Sequence, residues 1–221
     1  MIKFIVDFQK DIWNWKRIFN NRKELYSVER LPQKDKEFIL NIKNHTNNDC
    51  IDFIYKKYSS DFRADLFMIA ASKEWLKIEK DFVSILEKMT GKNFIFNEDL
   101  ITAFFTSAPL CPYNIAEKWF MLFPVSDLNY ANTLIAHELF HFHFHSHYEN
   151  YLNGKGVTGE NFQLLKESLT ILLNEKEFKY VLPIPDKGYE KHKEFREKLK
   201  QLWGENKNFD TFIENSIRLL Q

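Results

Sequence analysis

Residues 126–147 read SDLNYANTLIAHELFHFHFHSH, and the fold of the whole chain turns on how this stretch is built. Its apolar positions Leu128, Leu134, Ile135, Leu139 and Phe142 recur at helical spacing. Ser126 stands just before them, with a hydroxyl able to accept a hydrogen bond from the first turn, and is the expected cap. Inside this helix His137-Glu138-Leu139-Phe140-His141 form an HExxH pattern. A spacing of four sets the two imidazoles one turn apart on one face, where both reach a single ion about 2.0–2.1 Å from each ring nitrogen. Glu138 lies about 100° round the helix, so its carboxylate reaches a water on the ion rather than the ion itself, as hydrolysis requires.

A zinc ion holding two histidines and a water calls for one more protein ligand. Glu167 sits on the next expected helix, at the edge of an apolar stripe beside Leu164 and Ile171, where a carboxylate is costly to bury unless it binds a cation. His147 competes: counted from His137 it occupies the last position of HExxHxxGxxH, the metzincin pattern. That pattern needs a glycine where Phe144 stands, and a bulky residue at positive φ is strained. Metzincins also carry a methionine turn after the motif, whereas Met1, Met68, Met89 and Met121 all precede it. Glu167 is the preferred third ligand, with His147, Glu160 and Glu175 as alternatives.

Upstream, Trp75, Ile78, Phe82, Ile85, Leu86 and Met89 make a helical stripe ended by Gly91. Between it and the histidine helix, residues 94–96, 101–107 and 119–125 are β-rich and punctuated by prolines, which predicts a small sheet. Residues 2–8 suit a short strand or a helix. A helix follows from Asp11 to about residue 29, ended at Leu31-Pro32, and two short ones over 34–44 and 49–58. Downstream, Asn153-Gly154-Lys155-Gly156 and Gly159 form a loop, and a helix runs from Glu160 to about Glu177. Pro183 and Pro185 then force an extended turn, and the tail is a charged helix, a break at Gly204 and a last amphipathic helix. The expectation is an α+β, predominantly helical chain of one domain over 1–221: a helical N-terminal part at about 1–72, a catalytic core at about 73–180 and a helical tail at about 186–221.

Composition bounds the function. Aromatic residues reach 16% of 221 residues and hydrophobic ones 44%, so the chain folds rather than staying disordered. Thirty-one basic residues balance 31 acidic ones, leaving no global field to gather nucleic acid or anionic lipid. No apolar run approaches the roughly 18–20 residues of a membrane helix, and the N terminus lacks a secretory pattern, so a cytoplasmic protein is expected. Cys50 and Cys111 lie far apart, without metal spacing, and are expected as small core residues.

The HExxH helix joined by a glutamate from a following helix resembles the zincin metallopeptidases, specifically the gluzincin type. The motif spans residues 126–177, and the order of backing helix, β-rich segment, metal helix and glutamate helix is similar to the zincin half-domain. The resemblance implies a zincin-like fold with a small mixed sheet, His137, His141 and Glu167 as Zn2+ ligands, and Glu138 as general base. It also implies a sheet edge on which a peptide or protein substrate lies. Such enzymes draw an oxyanion donor from a Tyr or His after the glutamate helix; Tyr180, Tyr189 and His192 are available, and Tyr189 after Gly188 is taken as the catalytic one. The expected function is zinc-dependent peptide hydrolysis. The alternative is a non-hydrolytic metal-binding or regulatory domain on the same scaffold. His143, His145 and His147 read as a solvated, histidine-rich helix end or as an auxiliary metal site.

Overall fold

Which segment pairs with which was beyond the reach of periodicity, and the computed structural model, which describes residues 2–20, 49, 52, 63–94 and 100–220, supplies it. The chain is predominantly helical with a small mixed sheet, and it sorts into two compact units, Met1–Lys73 with Asp99–Ser126 and Glu74–Glu98 with Asp127–Gln221. The expected helix over 34–44, most of that over 49–58, the first helix beyond residue 20, residues 95–96 and Cys50 lie outside the described residues. No described helix is long and apolar enough to cross a membrane.

In the first unit the ambiguous N terminus is a strand, β1 (Ile2–Ile5), because it finds a parallel partner in β2 (Ile101–Phe105), with Ile2 opposite Ile101. β3 (Tyr113–Asn114) and β4 (Trp119–Leu122) complete a sheet of order β1-β2-β4-β3, in which only the β3 pairing is antiparallel. β4 is buried along its whole length, as a strand covered on both faces must be. Helix α1 (Phe8–Asn20) starts earlier than its apolar pattern suggests, because the Asp7 carboxylate accepts from the amides of Gln9 and Lys10.

The strand expected through Ser107 stops at Phe105, because the next two residues turn to α1. Asp11, fully buried, accepts from Thr106 Oγ1 (2.7 Å), Ser107 N (2.9 Å) and Ser107 Oγ (2.6 Å). Asn14 donates to Thr106 Oγ1 and Trp15 to Ser107 Oγ, so every member of the cluster has a partner. Burial pushes the Asp11 carboxyl up to about 6, with the hydroxyl and amide donors pulling the other way. Cys111 is half-buried rather than a core residue.

Helix α2 (Ala64–Thr90) begins well before Trp75, where the stripe read from sequence starts; Trp75, Phe82 and Leu86 of that stripe are fully buried. Helix α3 (Leu128–Gly154) carries the histidines. Its cap is Asp127, accepting from Asn129 N at 2.8 Å, rather than the adjacent Ser126. Besides Ile135, Leu139 and Phe142 it buries Phe140, His141, His143, Phe144, Tyr148 and Leu152, so it is covered nearly all round.

Helix α4 (Gly159–Leu169) is shorter than expected, continuing as 3₁₀ turns over Thr170–Asn174 and Lys176–Phe178. The Glu167 carbonyl near its end accepts from Thr170 Oγ1 and from Arg196, which draws it away from a regular α ladder. After a 3₁₀ turn at Glu190–His192 come α5 (Lys193–Glu205) and α6 (Phe209–Arg218). Gly204 lies inside α5; the break falls at 206–208, where Asn208 caps α6 through Thr211 N.

Candidate metal centre

Four residues apart on α3, His137 and His141 bring their ring centroids to 4.5 Å, and α4 lays Glu167 across them. Glu167 Oε2 stands 3.4 Å from Nε2 of His137 and 3.4 Å from Nε2 of His141, and all three ligand atoms lie within 4.8 Å of one another. A charge-assisted N–H···O bond would close to about 2.7–2.9 Å. Ligands sharing one tetrahedral ion, with bonds of about 2.0–2.1 Å, are instead about 3.3–3.4 Å apart. The two 3.4 Å spacings are thus longer than a close ion pair and of the size found between residues that share an ion, so the three could hold a metal, and Glu167 Oε2 is buried without a hydrogen bond.

What aims His137 is a residue that sequence reasoning missed. Its Nδ1 meets Asp186 Oδ2 at 2.6 Å, which fixes the proton on that nitrogen and turns the Nε2 lone pair towards the cluster. Thr133, one turn before His137, donates to the Ile184 carbonyl at 2.6 Å and so ties the proline-bearing turn against the helix. Asn174 clasps the Asp186 backbone, accepting from its N–H (2.7 Å) and donating to its carbonyl (2.8 Å). Arg196, 3% exposed, grips Asp186 Oδ1 at 2.7 Å and donates to Thr170 Oγ1. Gly188 makes room: at φ +61°, any Cβ there would meet Arg196 Nη1 at 2.5 Å. Thus the tail expected outside the catalytic core supports the first candidate ligand. The one sequence signal was an acidic residue just after a turn stiffened by two prolines.

These surroundings separate the two imidazoles. Burial works against charge on His137, but Asp186, with Glu167 and Glu138 adding to it, more than offsets it and holds the ring up to about 10, so a metal bound at Nε2 displaces the proton there. His141, the more deeply enclosed of the two, is pushed by burial down to about 3, with Glu167 pulling the other way. For Glu167, burial opposes ionisation, yet His141, His137 and Lys166 together hold its carboxyl well below the usual range. Glu138 Oε2 is buried with no hydrogen bond, and burial pushes that carboxyl up to about 7.

The competing ligands lie elsewhere. Helix α3 runs on through Phe144 to Gly154, so the chain makes no turn there, and His147 Nε2 bonds the Asn93 carbonyl at 2.8 Å. Glu160 is exposed, and Glu175 pairs with Lys207 at 2.6 Å. The histidine-rich end is not solvated throughout: His143, 1% exposed, bonds Thr90 Oγ1 at 2.9 Å and stacks on Phe94. The Thr90 hydroxyl donates to Leu86 O, so His143 Nε2 is the donor of the pair. His145 meets Glu149 at 3.0 Å. Among the oxyanion candidates, Tyr180 and Tyr189 are exposed, Tyr189 lying edge-on to His192, which is buried.

The chain matches no protein-family model, no curated protein and no solved structure.

Proposed function

We propose that this protein is a zinc-dependent metallopeptidase with a zincin-like fold, His137, His141 and Glu167 serving as ligands and Glu138 as general base. The observation that carries the reading is the pair of 3.4 Å separations between Glu167 Oε2 and the two imidazoles, beside Glu138 Oε2, which is buried without a hydrogen bond. Zinc bound there supplies Lewis acidity towards the scissile carbonyl and makes water easier to deprotonate near neutral pH.

The chain does the rest. Glu138 takes one proton from water as its oxygen bonds the carbonyl carbon, and returns that proton to the amide nitrogen as the C–N bond breaks; the second water proton passes from the new carboxyl group to the amine, leaving a carboxylate and an ammonium. Asp186 keeps His137 in the tautomer whose Nε2 is available. Oxyanion stabilisation falls to Tyr189 or its neighbour His192; removing the true donor lowers kcat by about 10²–10³.

Metal analysis and digestion of a peptide library test this together. His141→Ala abolishes stoichiometric zinc, and Glu167→Ala weakens zinc far more than His147→Ala. Glu138→Gln keeps zinc and fold but ends cleavage, since an amide cannot accept the proton. Retained zinc in His141→Ala would sink the site, whereas a wild type that holds zinc yet cuts nothing favours the non-hydrolytic domain.

A further inference from the structure

Lys166 precedes the candidate ligand Glu167 on α4, and although lysine is almost never fully buried, it is 2% exposed. Its Nζ stands 2.8 Å from Glu167 Oε1. The two oxygens of one carboxylate are therefore divided: Oε1 faces an ammonium, and Oε2 faces His137 and His141. Burying an ammonium beside a metal site is unfavourable on two counts, desolvation and repulsion of a cation. A lysine kept there has to contribute something that a leucine would not.

We infer that Lys166 is a positioning residue that makes Glu167 a one-oxygen ligand, by holding Oε1 off the metal and so keeping a coordination position for an exogenous ligand. This rests on the reading of His137, His141 and Glu167 as the ligand set. A carboxylate binds a cation through one oxygen or two, and the choice depends on what else engages the second oxygen. With Lys166 in place, Oε1 has a charged donor at bonding distance. Without it, Oε1 is left in a buried site beside a divalent cation and turns to the metal. The third ligand then fills two positions, and the open position that separates a catalytic zinc site from a closed one is lost.

Cobalt(II) alone, added to the metal-free full chain, reports the difference, since its visible bands are strong in four-coordinate sites and weaken severalfold in five-coordinate ones. Wild type is expected to give one cobalt per chain with strong bands. Lys166→Met, which keeps the length of the stem, is expected to bind one cobalt with bands severalfold weaker. Equal band strength at equal stoichiometry in the two proteins overturns the inference while leaving the ligand set intact. A wild type that binds no cobalt at His137 and His141 overturns the ligand set, and this inference with it. Should Lys166→Met fail to fold, X-ray absorption of the zinc-loaded wild type decides: a single carboxylate oxygen on zinc supports the inference, and a two-oxygen carboxylate overturns it.

Discussion

Asp11 in the first unit and Asp186 in the second are both buried aspartates held by several hydrogen bonds, yet their carboxyls move in opposite directions. Asp11 meets only neutral donors from Thr106 and Ser107, so burial prevails and lifts it to about 6. For Asp186 burial also opposes charge, but His137 and Arg196 outweigh it and hold the carboxyl below its ordinary value. Neutral partners make a buried aspartate a joint between a helix and the loop after a strand. Charged partners on two sides make it a support that carries charge to a candidate ligand. Burial and bond count alone do not tell the two apart; the charge of the partners does.

The contrast is broken most severely at Asp186. Asp186→Ala strands a buried guanidinium and is expected to cost roughly 3–5 kcal/mol in urea unfolding. Zinc affinity in the same variant should fall by about 10–100-fold, because His137 loses its orienting partner; unchanged affinity would show that His137 is aimed by something else. Next in size is the titration of Asp11. Its folded pKa lies above the unfolded 3.8, so between pH 3.8 and about 6 the native state holds a proton that the unfolded chain does not. Stability therefore falls as pH rises through that window, by roughly 3 kcal/mol, and the contribution is fully present only below it. Asp11→Asn should remove this slope, and unfolding curves at pH 4 and pH 7 in wild type and variant measure it. The smallest change sharpens the comparison from the side. Gly188→Ala, strained at positive φ and crowding Arg196, is expected to cost about 1–3 kcal/mol and to lower zinc affinity without touching a ligand.

How far these residues were legible in the sequence follows from the reach of the interactions that define them. His137, Glu138 and His141 are local, and the period that makes α3 a helix also places them. Glu167 was legible because its helix comes next in the chain and a carboxylate at the edge of an apolar stripe has few explanations. Asp186 and Arg196 were not, since Asp186 meets His137 across 49 positions and no periodicity records that approach. Lys166 hid behind the ordinary rule that lysines are exposed. Among boundaries, Ser126 and Asp127 are adjacent residues of equal capping ability, and only the backbone chooses between them. Gly204 misled because a glycine costs a helix about 1 kcal/mol, which the packing of Leu199 and Trp203 in α5 outweighs.

The order of residues along the chain also gives the centre a history. A chain made from its N terminus presents His137 and His141 first, then Lys166 with Glu167, and only afterwards Asp186 and Arg196. In the proposed metal reading, the two histidines of the growing chain would be a pair without their later supports, open to whichever divalent ion that imidazole favours is most abundant. The arrangement that orients His137 comes into being once Arg196 has been added and the turn at Gly188 has closed on it. In the proposed metal reading, discrimination among metals would thus be a property of the finished fold, and an ion taken up early would have to be exchanged or retained when the last supports arrive.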